Sequence, residues 1–165
     1  MMLDEAAAWK VLDAIPDPEI PVISVCDLGI VREVRADADC IDVVVTPTYS
    51  GCPATETIER SIRDGLQAAG ARQVNVSKRL SPPWSTDWIS ARGRERLREY
   101  GIVPPGEREP HAANVSTIRM VPRALECPRC GSRQTVRLSQ FGSTACKALW
   151  RCEACKEPFE YFKPI

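Results

Sequence analysis

Two pairs of cysteines, Cys127-Pro128-Arg129-Cys130 and Cys152-Glu153-Ala154-Cys155, are the residues whose type and spacing carry chemistry most directly. Two intervening residues let a tight turn aim both thiolates at one ion. Two such turns complete a tetrahedral four-thiolate shell with metal–sulfur distances of about 2.3 Å. Four thiolates suit zinc, a single iron or an iron–sulfur cluster, so the spacing leaves the choice open. Gly131 follows the first pair, as ribbon and rubredoxin-like knuckles prefer, whereas Lys156 stands in that place after the second. That departure weakens the rubredoxin reading and puts zinc first. Cys146, six residues before Cys152, is a further thiol: a buried inert cysteine is expected there, with an auxiliary ligand or transfer thiol as the alternative.

A second constellation lies in the first half: Asp17-Pro18-Glu19, the turn Cys26-Asp27-Leu28-Gly29, and Thr46-Pro47-Thr48-Tyr49-Ser50-Gly51-Cys52-Pro53. Proline suits the first position of a helix, which puts Cys52 at the N-cap. There the unpaired amides and the helix dipole favour an anion, so a thiolate is stabilised. Such a thiolate acts as a nucleophile or as a soft ligand for iron or copper. No base accompanies it, because His111, the one histidine, falls in a proline-rich stretch remote in sequence. A cysteine–histidine hydrolase is therefore not expected. Asp17 and Glu19 are candidates for the same chemistry, although acids so close together also cap turns. Cys26 and Cys40 stand beside apolar residues and are read as core.

The elements that must position these groups follow from periodicity. Residues 3–15 place Ala8, Val11, Leu12 and Ile15 at helical spacing and are stopped by Pro16 and Pro18. Two β-rich runs, 30–36 and 40–46, flank Asp37-Ala38-Asp39 and predict a hairpin. Residues 53–69 carry Ile58, Ile62 and Leu66 four apart and end at Gly70, the clearest helix; 73–80 alternate as a strand. A further helix, reaching Tyr100, carries Arg92, Arg94, Arg96 and Arg98. From Trp84 to Pro110 five arginines face five acids, so a salt-bridged, solvated face is expected rather than a nucleic-acid comb. Trp84 and Trp88 are expected as core, with the anchors of an interface as the alternative. The fold class is α+β: a small α/β sandwich (helix-strand-strand-helix-strand-helix) over residues 1–100, a Pro/Gly-rich linker over 101–123, and a β-rich zinc-ribbon-like domain over 124–165. The ribbon is too small to hold together by apolar burial alone, and a metal supplies the missing folding free energy.

Composition bounds the function. With 22 basic and 22 acidic residues in 165, the chain lacks the electrostatic footprint of a non-specific nucleic-acid binder. Its ribbon, with seven basic and four acidic residues, becomes nearly neutral once four thiolates hold a divalent ion. The opening residues carry Asp4, Glu5 and Asp13 and no export pattern, and no apolar run approaches a membrane span. A cytoplasmic protein is expected, in which eight cysteines stay reduced or bind metal rather than form a disulfide framework.

The three N-terminal motifs, in this order and spacing, resemble the iron–sulfur cluster assembly domain shared by the SufT-like and cytosolic cluster-targeting families, over residues 3–80. With Pro82-Pro83-Trp84-Ser85-Thr86-Asp87-Trp88, Tyr100-Gly101-Ile102-Val103-Pro104-Pro105 and the four-cysteine ribbon added, the whole chain resembles the D-subunit (PaaD or PaaJ) family of phenylacetyl-CoA epoxidase. The resemblance implies a non-catalytic accessory protein of a bacterial diiron oxygenase that epoxidises the ring of phenylacetyl-CoA, with oxygenase and reductase subunits as partners and a homodimer as a compatible state. It maps the family's acidic motif onto Asp17 and Glu19, its loop aspartate onto Asp27, its cysteine–proline motif onto Cys52 and Pro53, and its ribbon ligands onto Cys127, Cys130, Cys152 and Cys155. The chain itself has neither paired Glu-x-x-His motifs for a diiron centre nor a glycine-rich dinucleotide fingerprint. Oxygenase chemistry is thus expected in the partners. Two roles remain for this chain: delivery of iron or an iron–sulfur cluster through Cys52, or a zinc-stapled scaffold that docks on the oxygenase.

Overall fold

The computed structural model describes residues 3–37, 40–106 and 124–164. The chain divides into two compact units, Met1–Arg96 and Leu97–Pro164.

In the first unit α1 (Glu5–Asp13) starts where the Asp4 carboxylate accepts the amide of Ala7 at 2.7 Å, and it buries Ala8 and Leu12. The expected hairpin is β1 (Val31–Ala36) against β2 (Cys40–Val45), closed by reciprocal backbone bonds between Asp37 and Cys40, with a bulge between Val31 and Glu33. α2 (Ala54–Ala68) buries Ile58, Ile62 and Leu66, the spacing read in the sequence. It begins one residue later than expected, so Pro53 itself takes the cap position. β3 (Gln73–Lys78) then runs parallel to β2, pairing Ile41 with Val74 and Val45 with Lys78, in a sheet ordered β1-β2-β3. Each buried aliphatic side chain on the inner face contributes about 1.5–3 kcal/mol of transfer free energy.

Between α1 and β1 the chain is held by a bridge of Pro16 with Ser24 and by the amide of Val25 on the carbonyl of Ile15, burying Ile20, Ile23, Val25 and Leu28. The end of that loop meets a 3-10 turn, Thr86–Trp88. Gly29, at φ +76°, is so close that a Cβ there would lie 2.6 Å from the Trp88 carbonyl oxygen. Trp84 is buried with its Nε1 donating to the Leu28 carbonyl at 2.9 Å, and Trp88 is half-buried with the Arg32 guanidinium 3.6 Å above its ring. The core reading therefore holds for Trp84, and both tryptophans lock the loop. α3 (Ala91–Tyr100) follows, its Arg92 and Arg96 ion-paired and solvated as expected but with their partner on another element. Arg92 and Arg96 reach Asp27, and Arg94 donates to the Thr86 carbonyl, because Asp27 is a buried charge that attracts them more strongly than a solvated acid on their own helix.

The second unit holds β4 (Ile102–Val103), β5 (Thr135–Ser139), β6 (Lys147–Cys152) and β7 (Pro158–Phe162) in one sheet ordered β4-β7-β6-β5. Residues 102–103, expected as the start of a linker, are a strand parallel to β7, two apolar residues short enough to add to its edge before Pro104 and Pro105. Residues 107–123, with His111, lie outside the described residues. Cys127, Ala148, Trp150, Cys152 and Phe159 form the core. Lys147, itself buried, reaches Glu160 at 2.8 Å, and Glu160 also accepts the Ser143 amide at 2.6 Å, which fastens the β5–β6 connection to β7.

Candidate metal centre and cysteine cavity

The two cysteine turns are built alike. The amide of Cys127 bonds to the carbonyl of Ser132 at 2.9 Å, and that of Cys152 to the carbonyl of Glu157 at 3.0 Å, five residues on in each case. Gly131 and Lys156 follow the two pairs in the same left-handed conformation, at φ +73° and +66°. The missing second glycine therefore changes the cost of the turn and not its shape. A lysine at such an angle is strained by about 1 kcal/mol.

This repetition brings four sulfurs together. Cys127 Sγ lies 3.8 Å from Cys155 Sγ, Cys130 Sγ lies 3.6 Å from Cys152 Sγ, and all four are within 4.8 Å of one another. A tetrahedron of thiolates around one ion at about 2.3 Å has edges of about 3.8 Å, so the residues fit a single metal ion. Cys127 and Cys152 are buried, whereas Cys130 and Cys155 face solvent. The backbone amides of Cys155 and Ala154 lower the Cys152 thiol to about 6. At Cys130 the Ser132 amide favours the thiolate, but Cys152, burial and the other two thiols outweigh it and push the group up to about 12. Cys152 thus sheds its proton more readily than Cys130. Cys146 is buried, with its sulfur 3.0 Å from Thr144 Oγ1.

In the first unit Cys52 is half-buried in the connection from β2 to α2, its amide on the Tyr49 carbonyl and its carbonyl accepting the Thr55 amide. It lines a cavity of about 420 Å3 together with Pro47, Ser50, Pro53, Thr55, Glu56, Lys78 and Leu80. Lys78 closes β3 opposite Val45, the last residue of β2, so the cavity sits at the carboxyl ends of two parallel strands and at the start of the helix joining them. Open α/β sheets use that location for ligands. Sequence reasoning finds Cys52 and misses Lys78 and Leu80. Their signal is the parallel pairing of β2 with β3, which periodicity does not report.

The acidic candidates are placed differently. Asp17 is buried, and its Oδ1 accepts the amides of Glu19 and Ile20 at 2.9 and 2.8 Å, an Asx turn that satisfies two buried donors; Glu19 is half-buried. Asp27, 3% exposed, accepts from Ser90 Oγ at 2.6 Å, from Arg92 Nε at 2.9 Å and from Arg96 at 3.4 Å. Burial alone would raise this carboxyl, but Ser90 and Arg92 more than offset it, and its pKa falls below the ordinary value. Neighbouring Cys26 is pushed up to about 12 by burial, then by Asp13 and Asp27. Cys26 and Cys40 are both half-buried rather than core; Cys40 lies 3.2 Å from the Asn75 amide on the polar side of the sheet.

Comparison with known proteins agrees with this geometry. Residues 5–77 match the iron-sulfur cluster assembly protein family and residues 111–163 match the PaaD zinc beta ribbon domain. A crystal structure of a domain of unknown function, DUF59, from Bacillus anthracis is 27% identical, covers 56% of this chain and 90% of its own, and superposes with a TM-score of 0.53. A conserved hypothetical protein from Thermotoga maritima, 24% identical over 59% of this chain and 98% of its own, has the same fold at a TM-score of 0.50. Over 157 residues the chain is 50% identical to the putative D subunit of 1,2-phenylacetyl-CoA epoxidase from Escherichia coli strain K12, spanning 95% of this chain and 91% of that one. Kinship of that extent, across both the cluster-assembly unit and the four-cysteine ribbon, makes this chain a member of the D-subunit family of phenylacetyl-CoA epoxidase.

Proposed function

We propose that this chain is a non-catalytic accessory protein that matures a phenylacetyl-CoA-epoxidising oxygenase, passing iron or an iron–sulfur cluster through Cys52 to the oxygenase or its reductase. The observation that carries the reading is the placement of Cys52: a half-buried thiol lining a cavity at the carboxyl ends of β2 and β3, in a chain of the D-subunit family. Asp17, Glu19 and Asp27 contribute by fixing the loop before β1. Cys127, Cys130, Cys152 and Cys155 hold zinc, which supplies a formal dication that cross-links the ribbon; their sulfur spacing suits one ion better than the wider spread a multinuclear cluster demands. Cys146, packed against Thr144, has no part in transfer.

The deciding experiment is metal and acid-labile sulfide analysis of anaerobically purified protein, with iron loading of co-expressed oxygenase and reductase. Iron carried by the wild type and lost in Cys52→Ser, with zinc retained, supports delivery. Full iron loading of the partners by Cys52→Ser removes Cys52 from the mechanism and leaves the scaffold role. The bonds that occupy Asp17 and Asp27 favour that second reading, since they engage two of the acids that the family resemblance offers as companions of Cys52.

A further inference from the structure

We infer that the free edge of β5 docks an extended acidic segment of another protein, which adds to the ribbon sheet as a further strand. Within the order β4-β7-β6-β5, β5 pairs with β6 and with no second strand among the described residues. Val136 and Leu138 on it, and Phe141 just beyond, are 40%, 48% and 61% exposed. Edge strands are ordinarily blunted by charge or by a bulge, and β5 has a bulge between Arg137 and Ser139 as well as the arginine itself. Those devices discourage promiscuous pairing, but they give no reason for three large apolar side chains in six residues to face water. Such a cluster marks a contact surface.

Charge selects the occupant. From Arg133 to Phe141 the chain has two arginines and no acid, and Lys163 lies 4.6 Å above the Phe141 ring. A second copy would set the same arginines edge to edge. Residues 114–123 of this chain, with Arg119 and Arg123 and no acid, carry the same sign. Like charges facing each other across a ladder destabilise it, whereas a strand alternating acidic and apolar residues would satisfy both features of the edge. The inference uses the ribbon alone and does not rest on metal transfer through Cys52.

The test is binding of the zinc-loaded full chain to a fluorescein-labelled peptide of alternating valine and glutamate, with an alternating valine–lysine peptide as control, together with amide exchange across β5. The acidic peptide should bind and protect the Val136 and Leu138 amides. Arg137→Glu should weaken it about tenfold and strengthen the lysine peptide, while Cys52→Ser changes nothing. Leu138→Ser should weaken both peptides, and the charge swap decides the matter where that variant folds poorly. Equal binding of the two peptides, indifference to Arg137→Glu, slow β5 exchange in the isolated monomer, or a dimer that dissociates on Arg137→Glu would each overturn the proposal.

Discussion

Arg92 grips Asp27 with its Nε, 2.9 Å from Oδ1 and 3.1 Å from Oδ2, across 65 residues of chain. The same guanidinium also holds Asp13, so one side chain of α3 ties down both the end of α1 and the loop that precedes β1. Ser90 and Arg96 complete the shell of a carboxylate that would otherwise be an isolated charge out of water.

Removing that charge should therefore cost stability. Asp27→Asn is expected to lower the unfolding free energy at pH 7 by about 2 kcal/mol, a figure reduced for the half-exposed arginine. Because the folded pKa lies below the ordinary value, this contribution is complete at neutral pH and fades as pH falls through the carboxylate range, below about 4. Urea titrations of both proteins at pH 7 and pH 3 should show the gap closing. A gap of equal size at both would mean that Asp27 acts through shape and not charge.

Cys26 predicts the opposite limb. Its folded pKa is raised, so the protonated thiol stabilises the fold below the unfolded value of about 8.5, and that stabilisation is lost as pH climbs toward about 12. Cys26→Ala should flatten the alkaline decline of stability relative to the wild type, and Cys26 should alkylate more slowly at pH 8 in the folded protein than in the urea-unfolded chain. Identical alkaline profiles would show that another group sets the limb.

At the second cysteine turn, Lys156→Gly should raise the stability of the ribbon by about 1 kcal/mol, since glycine relieves the left-handed strain at the loss of an exposed ion pair with Glu153. Thermal unfolding of the metal-loaded proteins measures it. A lower melting temperature would mean that the ion pair or unfolded-chain entropy outweighs the strain.

Metal removal should act locally. Treating the zinc-loaded protein with a chelator is expected to collapse the amide dispersion of β5, β6 and β7, while Val43 and Leu66, buried in the first unit, keep theirs. Two-dimensional amide spectra before and after treatment decide it, and an unchanged ribbon spectrum would show that apolar packing suffices.

What is legible in the sequence is what local rules encode. The spacing of Ile58, Ile62 and Leu66 announces α2, and the pairs Cys127/Cys130 and Cys152/Cys155 announce a shared centre. The N-terminal motifs and the ribbon together point to the right family. What local rules leave out is chiefly partners distant along the chain. Arg92 is legible as an ion-paired helix residue but its partner Asp27, 65 residues away, is not, and the core reading of Trp84 does not reveal that its indole is held by the Leu28 carbonyl 56 residues back. Strand β4 is hidden because two residues have no periodicity; only the presence of β7 makes Ile102–Val103 a strand. Lys78 joins the Cys52 cavity through a parallel register that no local pattern reveals.

The sulfur spacing in the ribbon has a redox consequence as well. Thiols 3.6 and 3.8 Å apart need only a short approach, and favourable side-chain torsions, to reach a disulfide bond length of about 2.05 Å. With an ion in place their lone pairs are committed to it; stripped of the ion in air, Cys130 with Cys152 and Cys127 with Cys155 become pairs ready for oxidation, which would bar the metal from returning until a reductant intervened. Occupancy of the centre is thus also its antioxidant protection, and a ribbon handled aerobically without metal risks recording its own damage in place of its native state.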